Sequence, residues 1–287
     1  SPTAASGVWS LQKAPPRACL RTAGTARPPC PDKGNGRVPP DLRAGSLLGF
    51  RQLRFNDVFN TITVESGPES LQVPLSAVLE KGPTMKLWYS PASPFVRKCL
   101  IVAHERDLTD RIEIMDANAN VVDPDMRIVQ SNPAGKITTM VLDDGQVLFD
   151  SRVICAWLDT LHDGKKLMPR SGAKRFEVMT LEALGDAIMD AAVSNRYETA
   201  LRPPEYQWKA WSDGQMGKVK ASLDQLEKQW IRSLGRNPNM GSIAVAAALG
   251  YLDFRYPDLN WRRGRPKLTR WFKRFGERPS FMETEPK

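Results

Sequence analysis

The stretch MKLWYSPASPFVRKCLIVA, residues 85–103, decides how the rest of the chain is read. Lys86 to Ser90 reads as a short strand. Ser93-Pro94 then opens a helix, because a serine hydroxyl suits the cap and proline suits the first turn, where its missing N–H costs nothing. Val96, Cys99, Leu100 and Ala103 recur at i, i+3, i+4 and i+7, which is one buried helical face. Outward from there, Arg111 to Met115 alternates, with Ile112 and Ile114 on one side, as a strand does. Asp123 to Gln130 is a weak helix candidate. Ile137 to Leu142 and Gln146 to Phe149 flank Asp143-Asp144-Gly145, a strong hairpin signal. Asp150-Ser151 leads into Val153, Ile154, Trp157, Leu158 and Leu161 at helical spacing. Strand, helix, strand, helix, hairpin, helix predicts an α/β domain of thioredoxin type over residues 85–164.

Past Leu167-Met168-Pro169 the pattern becomes all-helical. Leu181, Leu184, Ile188 and Ala191 mark one long helix, and Met216, Val219, Leu223, Leu226 and Trp230 a second. Ile243 to Leu252 is apolar on every side and predicts a buried central helix. Leu268, Trp271, Phe272 and Phe275 mark a last amphipathic one. The expectation is α/β plus all-α: a helical domain over 172–287, joined by a linker near 162–172.

The 287 residues are 41% hydrophobic and 25% charged, near the values of ordinary globular proteins. The longest apolar run, Ile243 to Leu249, is far short of the roughly 20 residues of a membrane-spanning helix. No membrane partner is expected. The net charge of +9 suits acidic ligands. The basic residues are scattered, however, without zinc-finger spacing or an aromatic RNA-binding signature, so no nucleic-acid partner is expected. Arg262, Arg263, Arg265 and Lys267 read as a solvated loop. Cys19, Cys30, Cys99 and Cys155 form no Cys-x-x-Cys pair and suit a reducing cytoplasm. His104 and His162 read as surface or helix-end residues, and no spacing suggests a metal site.

Residues 1–84 carry 11 of the 23 prolines and no sustained helical period. Proline lacks a donor and restricts its predecessor, so disorder is the default reading, with only Val58 to Val64 hinting at a strand. The segment reads either as an upstream extension before a start at Met85 or as a transit peptide. The transit reading draws on nine Lys/Arg against Asp32 and Asp41 in residues 1–54. The first is favoured, because prolines interrupt the stretch throughout.

Three stretches together resemble the cytosolic glutathione transferases, across residues 85–287. Tyr89-Ser90-Pro91-Ala92-Ser93-Pro94-Phe95-Val96-Arg97-Lys98 looks like the family's active-site turn. Asn132-Pro133-Ala134-Gly135-Lys136-Ile137, with Phe149-Asp150-Ser151, looks like its glutathione-binding segment. Ile243-Ala244 through Leu252-Asp253-Phe254-Arg255, with Arg278-Pro279-Ser280, is similar to the central helix and tail of bacterial members. The resemblance implies a serine-class transferase with glutathione as co-substrate and no metal. A small hydrophobic electrophile would be its second substrate, and a cytoplasmic homodimer its assembly. A non-catalytic binding or scaffold protein, or a glutathione-dependent reductase or peroxidase, are the alternatives.

Chemistry narrows the residues. A free thiol is only about 3% ionised at pH 7, and making it mostly thiolate takes a pKa about 2 units lower, or ~2.7 kcal/mol. Ser93 is placed to donate to that thiolate with the amides of a helix start behind it. On its own it reads first as a plain cap, and the resemblance reverses that preference; Ser90 and Tyr89 are rivals. By resemblance Phe95 belongs to the cofactor site, Lys136 binds the glycyl carboxylate and Ile137 offers backbone bonds to the cysteinyl part. Ser151 holds the γ-glutamyl carboxylate and Asp150 its ammonium. The second-substrate pocket is expected along the first half of the helix holding Ile188 and Arg196, with Trp208 and Trp211 nearby. Two departures stand out. Thr138 replaces the usual cis-proline, so the bond before it is either a costly cis bond or trans with shifted contacts. Asn239 and Ser242 replace the usual capping pair of the central helix, which predicts a weaker reciprocal cap.

Overall fold

In a computed structural model of the protein, the described residues are the strand backbones at 52–56, 61–66 and 69–74, and residues 84–286. The expectations for residues 1–51, with Cys19 and Cys30, lie outside them. Three strands precede Met85: β1 (Gln52–Asn56), β2 (Thr61–Ser66) and β3 (Glu69–Pro74). They pair antiparallel in the order β1-β2-β3, with Ile62 opposite Phe55 and Val73. The hinted strand at Val58 to Val64 is thus shifted a few residues onward, and it has two neighbours where disorder was the default. The β-branched run Thr61-Ile62-Thr63-Val64 favours this pairing.

The second sheet is built on β4 (Met85–Tyr89). After it come α1 (Pro94–His104), β5 (Ile112–Asp116), α2 (Met126–Ser131), β6 (Thr139–Val141), β7 (Val147–Leu148) and α3 (Ser151–Thr160). Strand order is β5-β4-β6-β7; β5 runs parallel to β4, while β6 and β7 are antiparallel. A parallel neighbour needs a crossover, which α1 supplies. Met85, Leu87 and Trp88 of β4 are buried, as in a central strand. On the edge strand β5 the expected shared face of Ile112 and Ile114 is not a core face: Ile114 is exposed.

The helical domain contains α4 (Gly172–Ala200) and α5 (Lys209–Gln225), which passes through a π-helical turn at Leu226–Trp230 into α6 (Ile231–Leu234). α7 (Met240–Arg255), α8 (Pro266–Gly276) and α9 (Pro279–Met282) follow. Every residue of α7 from Met240 to Leu252 is buried, as its all-round apolar sequence requires. The cap of α7 is stronger than its sequence suggested. Ser242 N–H donates to Asn239 Oδ1 at 2.9 Å, and Asn239 N–H donates to Ser242 Oγ at 2.8 Å, so a hydroxyl does the work of the missing acid. No helix among the described residues is long and apolar enough to cross a membrane.

α4 packs on α7 through Gly185. A Cβ there would lie 2.7 Å from the Ala244 carbonyl carbon and 2.8 Å from the Val245 nitrogen. Backbone cannot yield as a side-chain tip can, so Gly185→Val is expected to cost about 1–3 kcal/mol by overpacking. Denaturant unfolding checks this, and an unchanged midpoint would contradict the close approach.

The C-terminal tail is clamped onto α1. Arg278 Nε and Nη2 each donate to the Glu105 carboxylate at 2.8 Å, and Ser280 Oγ donates to it at 2.6 Å. Arg97 Nη2 donates to the Phe281 carbonyl at 3.0 Å, and its guanidinium stacks 3.9 Å above the Phe281 ring. Burial lowers the Arg97 pKa to about 10, still well above neutrality. Burial also pushes the Glu105 carboxyl up, but the Arg278 and Ser280 hydrogen bonds outweigh it and hold the group below its usual range. A carboxyl with a depressed folded value stabilises above its unfolded pKa of about 4.3 and loses that contribution as pH falls through the folded value. Glu105→Gln is therefore expected to lower the melting temperature at pH 7 and to narrow its gap to the parent below pH 4. A gap independent of pH would contradict this.

Candidate functional site

Ser93 caps α1 with φ −83° and ψ 117°. Its N–H donates to the Ser90 carbonyl at 3.0 Å, and its Oγ accepts the Val96 N–H at 3.3 Å. The cap uses the hydroxyl only as an acceptor, so its proton is free to be donated elsewhere. Plain cap and thiolate donor are therefore compatible roles for one side chain.

Ser93 lies in the wall of a cavity of about 710 Å³ between the thioredoxin-like domain and the helical one. Phe95, Lys136 and Ile137 lie in the same wall, together with Ser90. Four of the six residues proposed from sequence are thereby brought together. Asp150 and Ser151 are not in that lining. Asp150 caps α3 by accepting the Arg152 N–H at 3.0 Å, and its other oxygen accepts from Arg152 Nη2 at 2.8 Å. Ser151 is buried, and its carbonyl faces the Cys99 thiol at 3.8 Å. Of the rivals, Ser90 lines this cavity, and both Ser90 and Tyr89 line a smaller neighbouring one that Ser93 also reaches.

The helical domain supplies the opposite wall through Asp190, Val193, Arg196 and Tyr197 of α4, with Tyr251 and Arg255 of α7. This is the C-terminal half of α4, not the first half expected. Trp208 and Trp211 are exposed and stand outside the lining. Asp190 is the acid that sequence reading missed. Burial and the neighbouring Asp186 push its carboxyl up, while Lys136 and Arg152 pull it back. Helical periodicity offered no signal for Asp190, because a polar residue on a polar helix face has no distinguishing spacing.

The bond between Ile137 and Thr138 is trans; among the described residues the cis peptide is Phe149–Asp150. Thr138 is buried and its Oγ1 has no hydrogen-bond partner.

Behind Ser93, α1 is tied to α4 by a buried ion cluster. Lys98, fully buried, places Nζ 2.8 Å from Asp186 and 3.3 Å from Glu182. The Cys99 and Cys155 sulfurs sit 3.7 Å apart in the adjoining core, where burial pushes the Cys155 thiol up and keeps it neutral. His104 ends α1 near Glu283, and His162 lies in the turn after α3.

The family pattern described as "Glutathione S-transferase, N-terminal domain" matches residues 92–161, and that of "Glutathione S-transferase, C-terminal domain" matches 209–274. An uncharacterized GST-like protein of Escherichia coli K12, YibF, is 35% identical over 205 residues, covering 70% of this chain and 98% of that protein. The chain belongs to the glutathione S-transferase family. Its fold is the family's thioredoxin-like domain followed by an all-helical one. A glutathione transferase family member from Pseudomonas fluorescens Pf-5, solved with bound glutathione, is 46% identical. It aligns over 71% of this chain and 100% of its own, with a TM-score of 0.70. A second structure from that organism, with bound S-(propanoic acid)-glutathione, is 44% identical over the same shares, with a TM-score of 0.67. A glutathione S-transferase from Methylobacillus flagellatus KT with glutathione bound is 35% identical, covering 71% and 100%, with a TM-score of 0.63.

Proposed function

We propose that this family member is a serine-class glutathione transferase that conjugates reduced glutathione to a small hydrophobic electrophile. The observation that carries the reading is Ser93: its hydroxyl proton is uncommitted and it lines an inter-domain cavity beside Lys136 and Ile137. Glutathione-bound relatives at 46% and 35% identity support glutathione as the co-substrate.

In this reading the Ser93 hydroxyl donates to the glutathione sulfur, and the amides at the start of α1 add their partial positive charge. The thiol loses its proton to solvent and the thiolate attacks the electrophile. Lys136 pairs with the glycyl carboxylate, and Ile137 meets the cysteinyl backbone across its trans bond to Thr138. Phe95 packs against the tripeptide. The start of α3, at Asp150 and Ser151, takes the γ-glutamyl end. Asp190, close enough to feel the charges of Lys136 and Asp150, joins Asp150 on the ammonium. Domain limits of 85–164 and 172–287 follow from the same reading. So does a homodimer, supported by exposed Phe149, Val153, Phe176 and Met179 at the starts of α3 and α4. Free buried thiols at Cys99 and Cys155 suit a cytoplasmic protein.

The test is calorimetric titration of the full chain with reduced glutathione, coupled to conjugation of 1-chloro-2,4-dinitrobenzene. Binding with turnover above the uncatalysed rate is expected. A folded protein that binds no glutathione would overturn the reading in favour of a non-catalytic scaffold, with the trans Ile137–Thr138 bond as the first suspect.

A further inference from the structure

The cavity wall formed by the end of α4 and the end of α7 carries a group of hydrogen-bond donors among the apolar side chains of Val193, Ala200 and Leu201. Arg196 and Arg255 both line it, and neither has a carboxylate within 4 Å among the described residues. Elsewhere in the helical domain, Arg202, Arg262, Arg265 and Arg278 each hold an acidic partner, while others such as Arg232 and Arg270 have none among the described residues, so it is the position of Arg196 and Arg255 on the cavity wall that sets them apart. Arg255 stacks 4.2 Å from the Phe254 ring, which leaves the N–H groups of its guanidinium unspent. The phenols of Tyr197 and Tyr251 lie in the same wall. Burial pushes both phenols up and keeps them protonated, while the charges of Arg255 and Arg196 reach the Tyr251 hydroxyl and pull against that rise. Two guanidinium groups and two phenols therefore converge on one region.

The acid of the cavity lies elsewhere. Asp190 is six residues before Arg196, about 9 Å along the helix at ~1.5 Å per residue, and its charged neighbours are Asp186, Lys136, Arg152 and Asp150. The glutathione end thus has mixed charge, whereas the α4–α7 end presents donors and positive charge without an acid. Val193 stands between Asp190 and Arg196 along α4, and Val121 and Pro124 add apolar surface to the same cavity.

We propose that Arg196 and Arg255, with Tyr197 and Tyr251, bind a carboxylate carried by the second substrate, so that the preferred electrophiles are small anionic ones. This rests on the transferase reading above and names its substrate class. A planar guanidinium matches a carboxylate through two parallel N–H bonds, and a neutral substrate would leave those donors without a partner. The carboxylate takes no part in the chemistry. With an aryl chloride, the thiolate sulfur forms a bond to the ring carbon and the C–Cl bond breaks. Chloride leaves with the electron pair, and the thiol proton has gone to solvent.

Two measurements on the full chain test this. The first compares conjugation of 4-chloro-3-nitrobenzoate and 4-chloro-3-nitrobenzamide, each rate divided by its uncatalysed rate. The parent is expected to favour the carboxylate by roughly tenfold or more, the scale of a charge-assisted hydrogen bond. In Arg196→Ala/Arg255→Ala that ratio should fall to within about twofold, because the charged contacts are gone. The second titrates 3-nitrobenzoate and 3-nitrobenzamide calorimetrically without glutathione. Tighter binding of the anion, lost in the double variant, is expected. If neither electrophile turns over but this binding preference holds, the anion site stands and the transferase reading falls. If both compounds bind equally, or the amide is favoured in both measurements, the proposal is overturned whatever the catalytic result.

Discussion

Ser93→Ala is expected to lower kcat/KM for conjugation by about 10- to 100-fold near pH 7, the range of one hydrogen bond to a charged group at about 1.5–3 kcal/mol. The loss should shrink as pH rises toward the pKa of free glutathione thiol at about 8.5, because solvent then makes the thiolate without help. The substitution also removes the Val96 N–H acceptor and with it about 1 kcal/mol of cap. Ser93→Gly separates the two roles, since glycine retains most of the capping preference and lacks the hydroxyl. Both variants should lose activity alike while only Ser93→Ala loses stability. A flat pH dependence of the ratio to parent, or full activity in Ser93→Gly, would assign Ser93 to the cap alone.

The largest stability effect is expected at Lys98. Its Nζ is the cation for two carboxylates, Asp186 and Glu182, that are themselves about nine-tenths buried. Burial works against the charged amine, yet the negative groups around it hold its pKa above the usual lysine range. Asp186 and Glu182 supply that charge; Cys155 would add to it only as a thiolate, a form its own burial opposes. Burial likewise pushes the Glu182 carboxyl up, and Lys98 pulls it back. Lys98→Met leaves two buried acids with only the more distant Arg152 among the described residues, whose Nε is 3.9 Å from Asp186, and is expected to cost about 3–5 kcal/mol. The triple change Lys98→Met/Glu182→Leu/Asp186→Leu should recover most of this, because an apolar replacement of a whole cluster carries no desolvation penalty. While Asp186 and Glu182 are ionised, the Lys98 contribution is fully present below about pH 10.4 and fades as pH rises through the higher folded value; acid that protonates the two carboxylates removes it from the other side. Denaturant unfolding at pH 7 decides the matter, and a single variant within 1 kcal/mol of the parent would refute the cluster's role. Because Lys98 sits on α1 and its partners on α4, the same variant should also loosen the contact between the two domains.

Local chemistry was legible wherever one segment contains its own reason. Ser93-Pro94 specifies a helix start by a hydroxyl acceptor and a preset φ, and the all-apolar run from Ile243 to Leu252 specifies a buried helix by leaving no face for water. Asp143-Asp144-Gly145 specifies a hairpin through the φ > 0 that Gly145 adopts. The fold was readable on that basis, and Ser93 as a helix cap; Phe95, Lys136 and Ile137, which with Ser93 line the cavity, came from the resemblance carried by three motifs in order.

Other features depend on what stands opposite a residue, and one chain segment does not encode its neighbour. The exposure of Ile114 follows from β5 being an edge strand. The Asp150 carboxylate also holds Arg152, and the cap of α7 is closed by a hydroxyl whose reach sequence spacing does not show. Nothing in the segment around Lys98 encodes its burial, which comes from α4 folding over it with Glu182 and Asp186. Arg196 and Arg255, 59 residues apart in the numbering, meet at one cavity wall because α4 and α7 pack against each other along the Gly185 contact. From Met85 onward the sequence alone determined the main elements and their order, since propensity, capping and periodicity act within a few residues. Only the tertiary structure decided which charges are paired and which face the cavity, because Coulomb and hydrogen-bond energies depend on distance through space.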